Sequence, residues 1–131
     1  MSTVSVDRNI PSKEVQVSKE NTKTVCDTDN KDSKACIKQL ISKYSRIYGT
    51  DEKLALDIAF CESSFRANVY GDSGKAFGTF QFHKSTFEQF AKTLGEKLDY
   101  YNNEDNIKLG VWALANNKED HWACYEKVAF N

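Results

Sequence analysis

The sequence predicts a mainly helical domain of the α+β class, with one small β-hairpin near its middle. Two observations carry this prediction. Apolar residues recur at helical spacing on both sides of a central segment. That segment, residues 66–82, instead combines aromatic residues with three of the six glycines of the chain, which is typical of tight turns between short strands.

Composition places the chain among ordinary globular domains. It has 131 residues, of which 40% are hydrophobic and 28% charged, enough for one domain with a normal core. The formal net charge of -1 argues against a nucleic-acid partner or an anionic membrane surface, and apolar stretches are too short to span a bilayer. We therefore expect a monomer without membrane insertion.

The N-terminal part differs from the rest. Residues 1–30 are polar and mixed in charge, and they show no sustained period, so they are predicted to form a flexible linker before a folded domain at 31–131. The N-terminus also lacks the apolar core of a secretory signal. For an exported protein, we expect the signal or anchor to lie outside this sequence.

Two helices are predicted before the glycine-rich segment. The first begins at Ser33 and ends at Gly49, which suits a C-terminal cap. Its apolar face consists of Ile37, Leu40, Ile41, Tyr44, Ile47 and Tyr48. Thr50 is predicted to cap the second helix, which ends near Glu62. The buried stripe of this second helix consists of Leu54, Ala55, Ile58 and Ala59.

Helical periodicity resumes after the glycine-rich segment. Ser85 and Glu88 match a capping box, and Gly95 is predicted to end that helix. Asn103 is predicted to cap the next helix, which the asparagine pair at 116–117 ends. A short last helix is expected after this pair.

The four cysteines predict two disulfides. An even number in a small domain favours oxidation, and four cysteines allow three pairings. We favour Cys26–Cys36, which closes a short loop against the first helix, and Cys61–Cys124, which ties the C-terminal segment beside Glu62. The alternative is four reduced cysteines in a cytosolic protein.

No metal or cofactor is expected. The cysteines include no C-x-x-C pair and no neighbouring histidine pair, as a zinc site would need. His83 and His121 are isolated in the sequence, so surface or local hydrogen-bonding roles are expected for both.

Glu62 is the candidate catalytic residue. It ends an apolar helix and is flanked by Phe60, Cys61 and Phe65, so poor solvation is expected to raise its pKa. A carboxyl group that keeps its proton near neutral pH suits general acid catalysis. The alternative is an exposed glutamate at a helix C-terminus, where the helix dipole slightly disfavours it.

The order of motifs from Glu62 onward resembles a known superfamily. "CESSF" followed by "GDSGKAFGTFQF" is similar to soluble lytic transglycosylases and goose-type lysozymes, which are members of the lysozyme-like superfamily. In those families a glutamate-serine pair ends a helix and a glycine-rich hairpin then ends in G-x-x-Q, as Gly78 to Gln81 do here. The resemblance extends from about Ile37 to Tyr125.

The resemblance implies cleavage of the β-1,4 bond between N-acetylmuramic acid and N-acetylglucosamine in the glycan strands of peptidoglycan. It also implies that Glu62 would protonate the leaving oxygen and, in a lytic transglycosylase, then act as base while the muramic 6-hydroxyl closes a 1,6-anhydro ring. The expected location is outside the cell or in the periplasm or cell envelope. A hydrolytic lysozyme and a non-catalytic module that binds peptidoglycan remain the alternatives.

Asp72 is the candidate second carboxylate. Its place in "GDSGKAFGTFQ" resembles the aspartate that goose-type lysozymes use to position water, which would imply hydrolysis. The alternative is an ordinary turn aspartate beside glycine. Asp57 is a poorer candidate because, five residues before Glu62, it points to a different helix face.

The remaining candidates would hold the sugar. Ser63 and Gln81 are expected to form hydrogen bonds with it, and Phe80 replaces the family's usual methionine in the floor of the cleft. Aromatic rings that could stack on sugars, or only pack in the core, are Tyr100, Tyr101 and Trp122. The late A-Y-N motif of the family is absent as such, and "ACYEK" offers Tyr125 in its place.

Overall fold

The structure, a computed structural model, describes Cys26 and residues 30–129. The predicted linker, residues 1–30, therefore lies almost entirely outside the described residues. Within them, five α-helices surround a small antiparallel sheet of three strands. The predicted fold class is confirmed. Among the described residues, no helix combines the length and the apolar character that crossing a bilayer requires.

Helix α1 spans Lys34–Tyr48 and is capped at both ends as predicted. The Ser33 hydroxyl accepts a hydrogen bond from the Cys36 N–H at 3.0 Å, and Gly49 ends the helix with a left-handed φ of 74°. The prediction for Ile47 was wrong, because its side chain is 58% exposed. The period of the pattern places Ile47 at the edge of the apolar face, and no element among residues 30–129 covers that edge.

Helix α2 spans Glu52–Ser63, and its N-terminal cap is not the one predicted. The Asp51 carboxylate accepts from the Leu54 N–H at 3.3 Å. The hydroxyl of Thr50 instead donates to the Val111 carbonyl at 2.9 Å, a contact 61 residues away in sequence. The Thr50 hydroxyl, which the sequence predicted to cap α2, therefore forms a tertiary hydrogen bond instead.

The sheet consists of three two-residue strands, β1 Tyr70–Gly71, β2 Ala76–Phe77 and β3 Phe82–His83, in the order β1-β2-β3. Tyr70 pairs with Phe77 and Gly71 with Ala76, and β2 then pairs with β3 in antiparallel register. The predicted hairpin is thus a three-stranded meander. Because its strands are so short, its stability depends on packing against the helices.

Helix α3 spans Lys84–Leu94 and helix α4 spans Asn103–Ala115. The predicted capping box at Ser85 was wrong, because His83 is the residue before α3 and provides no side-chain cap. Gly95 ends α3 as predicted. The cap of α4 is Asn102, one residue before the predicted one, and its side chain accepts from the Asp105 N–H at 2.8 Å.

The C-terminal segment contains a short 3₁₀ helix at Glu119–His121 and helix α5 at Ala123–Ala129. The core between the helices and the sheet contains fully buried rings and aliphatic side chains, the largest of which are Phe80, Phe82, Phe87, Ile37, Ile41 and Ile58. Both favoured disulfides, Cys26–Cys36 and Cys61–Cys124, are present. The second joins the end of α2 to α5.

Candidate active site

Glu62 lies in the last turn of α2, and the residues after it turn the chain sharply. Ser64 ends the helix in a left-handed conformation, with φ of 56°, and its N–H donates to the Phe60 carbonyl. The Ser63 hydroxyl donates to the Ala59 carbonyl and accepts from the Arg66 N–H, both at 3.2 Å. Ser63 is 2% exposed, so its side chain locks the turn that follows Glu62.

The Glu62 side chain opens into a cavity of about 390 Å³. Four residues that the sequence singled out as site candidates line it: Glu62, Asp72, Gln81 and Trp122. The other lining residues are Gly71, Ala76, His83, His121 and Ala123. The end of α2, all three strands and the start of α5 therefore meet around one carboxyl group.

Burial raises the pKa of Glu62 above its ordinary value of 4.5. Two groups oppose this rise without reversing it: the Cys124 N–H, which donates to the carboxylate, and the positive charge of Lys127. The direction is the one expected from the sequence, although Phe60, which was expected to exclude water, is 58% exposed. The result is a carboxyl group that holds its proton to higher pH than a solvated glutamate.

Gln81 faces Glu62 across the cavity and is itself held by the hairpin. Its Nε2 donates to the carbonyls of Val69 and Gly78, at 3.1 and 2.9 Å. A Cβ atom at Gly71 would lie 2.1 Å from the Gln81 Oε1. Only glycine leaves room at this position for the Gln81 side chain, which explains one glycine of the segment.

Asp72 pairs with a residue that the sequence analysis did not connect to it. The His83 Nε2 lies 2.8 Å from the Asp72 Oδ2, and the two side chains are 44% and 60% exposed. When His83 is neutral and its Nε2 carries the hydrogen, the carboxylate holds the tautomer whose Nδ1 is an acceptor. Strand β3 and the β1–β2 turn thus place a polar pair in the same cavity as Glu62.

Two asparagines of α4 anchor the hairpin, and sequence reasoning missed both roles. The Oδ1 of Asn106 accepts from the Phe80 N–H at 2.8 Å, and its Nδ2 donates to the Phe77 carbonyl at 3.1 Å. The Thr79 hydroxyl donates to the Asn103 Oδ1 at 2.9 Å. The sequence did contain a signal for the role of Asn106. This residue lies within the apolar stripe of α4, and a buried amide needs hydrogen-bond partners.

His121, for which the sequence predicted a surface or local hydrogen-bonding role, is a second histidine that lines the cavity. Its ring stacks on Phe82, with centroids 5.5 Å apart and planes 23° from parallel. Burial lowers the pKa of His121, and the charge of His83 lowers it further. No signal in the sequence placed this ring near Glu62. Within the described residues, no histidine, cysteine and carboxylate side chains are grouped to hold a metal ion.

The aromatic candidates have different surroundings. Phe80 has no exposed surface, and its carbonyl accepts from the Trp122 Nε1 at 2.8 Å. Tyr100 is buried, with its hydroxyl donating to the Phe82 carbonyl. Tyr101 is 54% exposed and lines a different cavity of about 370 Å³ beside Cys36, whereas Tyr125 lines a third beside Asp57.

Comparison with protein families gives one result. A family model described as the transglycosylase SLT domain matches residues 39–126, about two thirds of the chain. The match includes α2, the hairpin, α3, α4 and the start of α5, and therefore every residue that lines the cavity. No significant match to a curated protein or to a solved structure is found.

Proposed function

Because the chain belongs to the transglycosylase SLT family, we propose that it cleaves the β-1,4 bond between N-acetylmuramic acid and N-acetylglucosamine, with Glu62 as the catalytic acid. Family membership itself indicates peptidoglycan cleavage of the lytic transglycosylase type, in the periplasm or cell envelope. Two disulfides fit a location outside the cytoplasm.

The observation that carries the proposal is the setting of the Glu62 carboxyl. It ends a helix, it opens into the cavity, and burial raises its pKa. A general acid must hold its proton at working pH and still reach the leaving group, and both conditions favour this position.

In the proposed reaction, the Glu62 carboxyl gives its proton to the glycosidic oxygen while the bond from that oxygen to C1 of the muramic acid breaks. The resulting carboxylate then accepts the proton of the muramic 6-hydroxyl, whose oxygen bonds to C1 and closes a 1,6-anhydro ring. The carboxyl regains its proton in this second step, so no external acid or base is consumed.

The decisive variant is Glu62→Gln, which keeps the shape of the side chain and removes its acid function. We expect loss of at least about 100-fold in the rate of cell-wall clearing, since general acid–base catalysis contributes roughly 10²–10⁴-fold. Glu88→Gln, on an exposed part of α3, is the matched control and should clear cell walls at the parent rate. If Glu62→Gln is as active as the parent, Glu62 is not the catalytic acid.

Hydrolysis is the second candidate reaction, and the place of Asp72 favours it. Its carboxylate is 60% exposed, lines the cavity of Glu62 and pairs with His83. Such a carboxylate can hold a water molecule for attack on C1, as a second carboxylate does in many glycosidases. Hydrolysis would then leave a reducing end in place of the anhydro ring.

Mass spectrometry of the products separates the two reactions. Anhydromuramic ends indicate transglycosylation, and reducing ends indicate hydrolysis. Asp72→Asn should lower the share of reducing ends if Asp72 positions water, whereas Asp57→Asn, outside the cavity, should leave the share unchanged. Equal product ratios in the parent and Asp72→Asn would remove Asp72 from the mechanism.

The other residues that the sequence predicted to hold the sugar are assigned roles according to where they lie in the structure. Gln81 and Trp122 line the cavity and are proposed to touch the sugar there. Ser63, Phe80 and Tyr100 are buried, so we propose that they support the cavity by holding its backbone. Tyr101 and Tyr125 line other cavities, and any contact with glycan would lie further along the strand.

A module that binds peptidoglycan without cleaving it is distinguished by a paired measurement. Isothermal titration with soluble glycan fragments reports binding, and product analysis of the same mixture reports cleavage. Binding without any product would support the module and contradict the enzyme.

A further inference from the structure

The Cys61–Cys124 disulfide joins two residues that both adjoin Glu62. Cys61 precedes Glu62 in the last turn of α2, and Cys124 lies in the first turn of α5. The backbone N–H of Cys124 donates to the Glu62 carboxylate. The bridge therefore ties Cys124, whose N–H is the donor of this hydrogen bond, to Cys61, the residue next to the acceptor Glu62.

Helix α5 is short and only partly buried. It is seven residues long, shorter than an isolated helix that is stable in water. Its buried residue is Cys124 itself, with Tyr125 and Val128 partly buried against the core. Helix α5 also carries Lys127, whose charge acts on Glu62, while Ala123 lines the cavity.

We propose that the Cys61–Cys124 bridge is a positioning element of the active site, which holds the first turn of α5 against the Glu62 side chain. Opening the bridge by a dithiol, with two thiols formed here and one disulfide formed in the reductant, releases α5 from α2. The Cys124 N–H and Lys127 then leave Glu62, and the carboxyl loses both its fixed direction and the groups that favour its charged form. This inference rests on the proposed role of Glu62.

Three other titratable groups line the Glu62 cavity from elements that the bridge does not join. They are Asp72 on the β1–β2 turn, His83 on β3 and His121 on the 3₁₀ helix. His121 lies just before α5 in the chain, whereas Asp72 and His83 lie on the hairpin. Release of α5 acts on the pKa of Glu62 in two opposite ways: it admits water and weakens the burial that raises the pKa, and it removes the Cys124 N–H and the Lys127 charge, which lower the pKa. The titration midpoint of Glu62 is therefore expected to leave its parent value.

The chain supplies its own control. The other bridge, Cys26–Cys36, joins the segment before α1 to the first turn of α1 and does not line the Glu62 cavity. Cys61→Ala/Cys124→Ala and Cys26→Ala/Cys36→Ala thus each remove one bridge, and only the first removes a tie next to Glu62. Circular dichroism and a thermal melt establish that each variant is folded at the assay temperature.

The first measurement is the pH profile on soluble peptidoglycan fragments. For Cys61→Ala/Cys124→Ala we expect the upper limb of this profile, where Glu62 loses its proton, to move away from its parent pH, because both the burial and the hydrogen bonding of the carboxyl change. The plateau kcat should fall about 10- to 100-fold with KM little changed, because misdirected catalytic groups cost roughly this much. Cys26→Ala/Cys36→Ala should leave the limb and kcat at the parent values.

The second measurement does not depend on activity. Carbon NMR of the full chain, with labelled glutamate and Glu62→Gln for assignment, gives the titration midpoint of Glu62 directly. The midpoint should change when the Cys61–Cys124 bridge is removed and stay constant when Cys26–Cys36 is removed. An active Glu62→Gln variant would contradict the proposed function, whereas an unmoved midpoint and limb would overturn the positioning role alone.

A further variant leaves the bridge intact, in case the alanine pair does not fold. Lys127→Ala, on the exposed side of α5, removes one of the two groups that lower the pKa of Glu62 and keeps the bridge, so it should raise the midpoint. A midpoint unchanged by Lys127→Ala would contradict the claim that α5 acts on Glu62.

Discussion

The side-chain amide of Asn106 accepts a hydrogen bond from the backbone N–H of Phe80 at 2.8 Å, across 26 residues of sequence. Its other end donates to the Phe77 carbonyl, so one side chain of α4 holds both ends of the turn between β2 and β3. Gln81 is the last residue of this turn. The wall of the cavity opposite Glu62 is therefore attached to α4 through a buried amide.

Asn106→Ala should destabilise the protein by about 2–4 kcal/mol, because two buried backbone groups lose their partner at once. Asn106 is 1% exposed, so water cannot replace the side chain without entering the core. Urea denaturation measures the change in the free energy of unfolding. Asn68→Ala, an exposed control, should change it by less than about 0.5 kcal/mol. Equal losses in the two variants would show that the amide bridge contributes nothing.

Gly78→Ala should cost more stability than Gly74→Ala, although both glycines have left-handed φ angles of 91° and 88°. Backbone strain of about 1 kcal/mol is common to both substitutions. At Gly78 the added methyl group would also lie 2.2 Å from the Asn106 Nδ2, whereas at Gly74 it meets no atom within 4 Å. We expect an additional loss of about 1–3 kcal/mol at Gly78 in thermal or urea unfolding. Similar losses at the two positions would mean that the contact with Asn106 relaxes freely.

Glu62→Gln should be more stable than the parent near neutral pH, and this difference should disappear on acidification. Burial raises the pKa of Glu62 in the folded state, so above its ordinary value of 4.5 the folded protein binds more protons than the unfolded chain. The stability of the parent therefore falls as pH rises through the window between the two pKa values. Glutamine has no charge to bury, and its variant lacks this loss.

Thermal melts at about pH 4 and near neutral pH test this difference between Glu62→Gln and the parent. Glu88→Gln gives the baseline for removal of one carboxylate elsewhere. A Glu62→Gln variant that loses stability relative to the parent as pH rises would contradict the raised pKa.

Alkylation under denaturing conditions without reductant should label none of the four cysteines, and reduction should expose all four. Digestion and mass spectrometry of the unreduced chain should then yield Cys26 linked to Cys36 and Cys61 linked to Cys124. Any other pairing, or four thiols alkylated before reduction, would contradict the structure and the location outside the cytoplasm that the bridges fit.

Features that depend on neighbours along the chain were predictable. The Ser33 and Gly49 caps and the end of α2 near Glu62 were all correctly predicted, because capping chemistry and helical period are local. The prediction failed where a distant group intervened. Thr50 bonds Val111 instead of capping α2, and His83 precedes α3 where Ser85 was expected.

The order of residues along the chain was enough to predict a helix that ends near Glu62, a glycine-rich turn segment and the motif spacing of the family. Packing decided which groups surround that carboxyl. The Asp72–His83 pair, the buried amide of Asn106 and the α5 turn held by Cys124 each join segments that are distant or separated by a turn. A hydrogen bond acts over about 3 Å, and burial depends on every element that covers a residue, so these relationships arise only when the helices and the sheet are assembled.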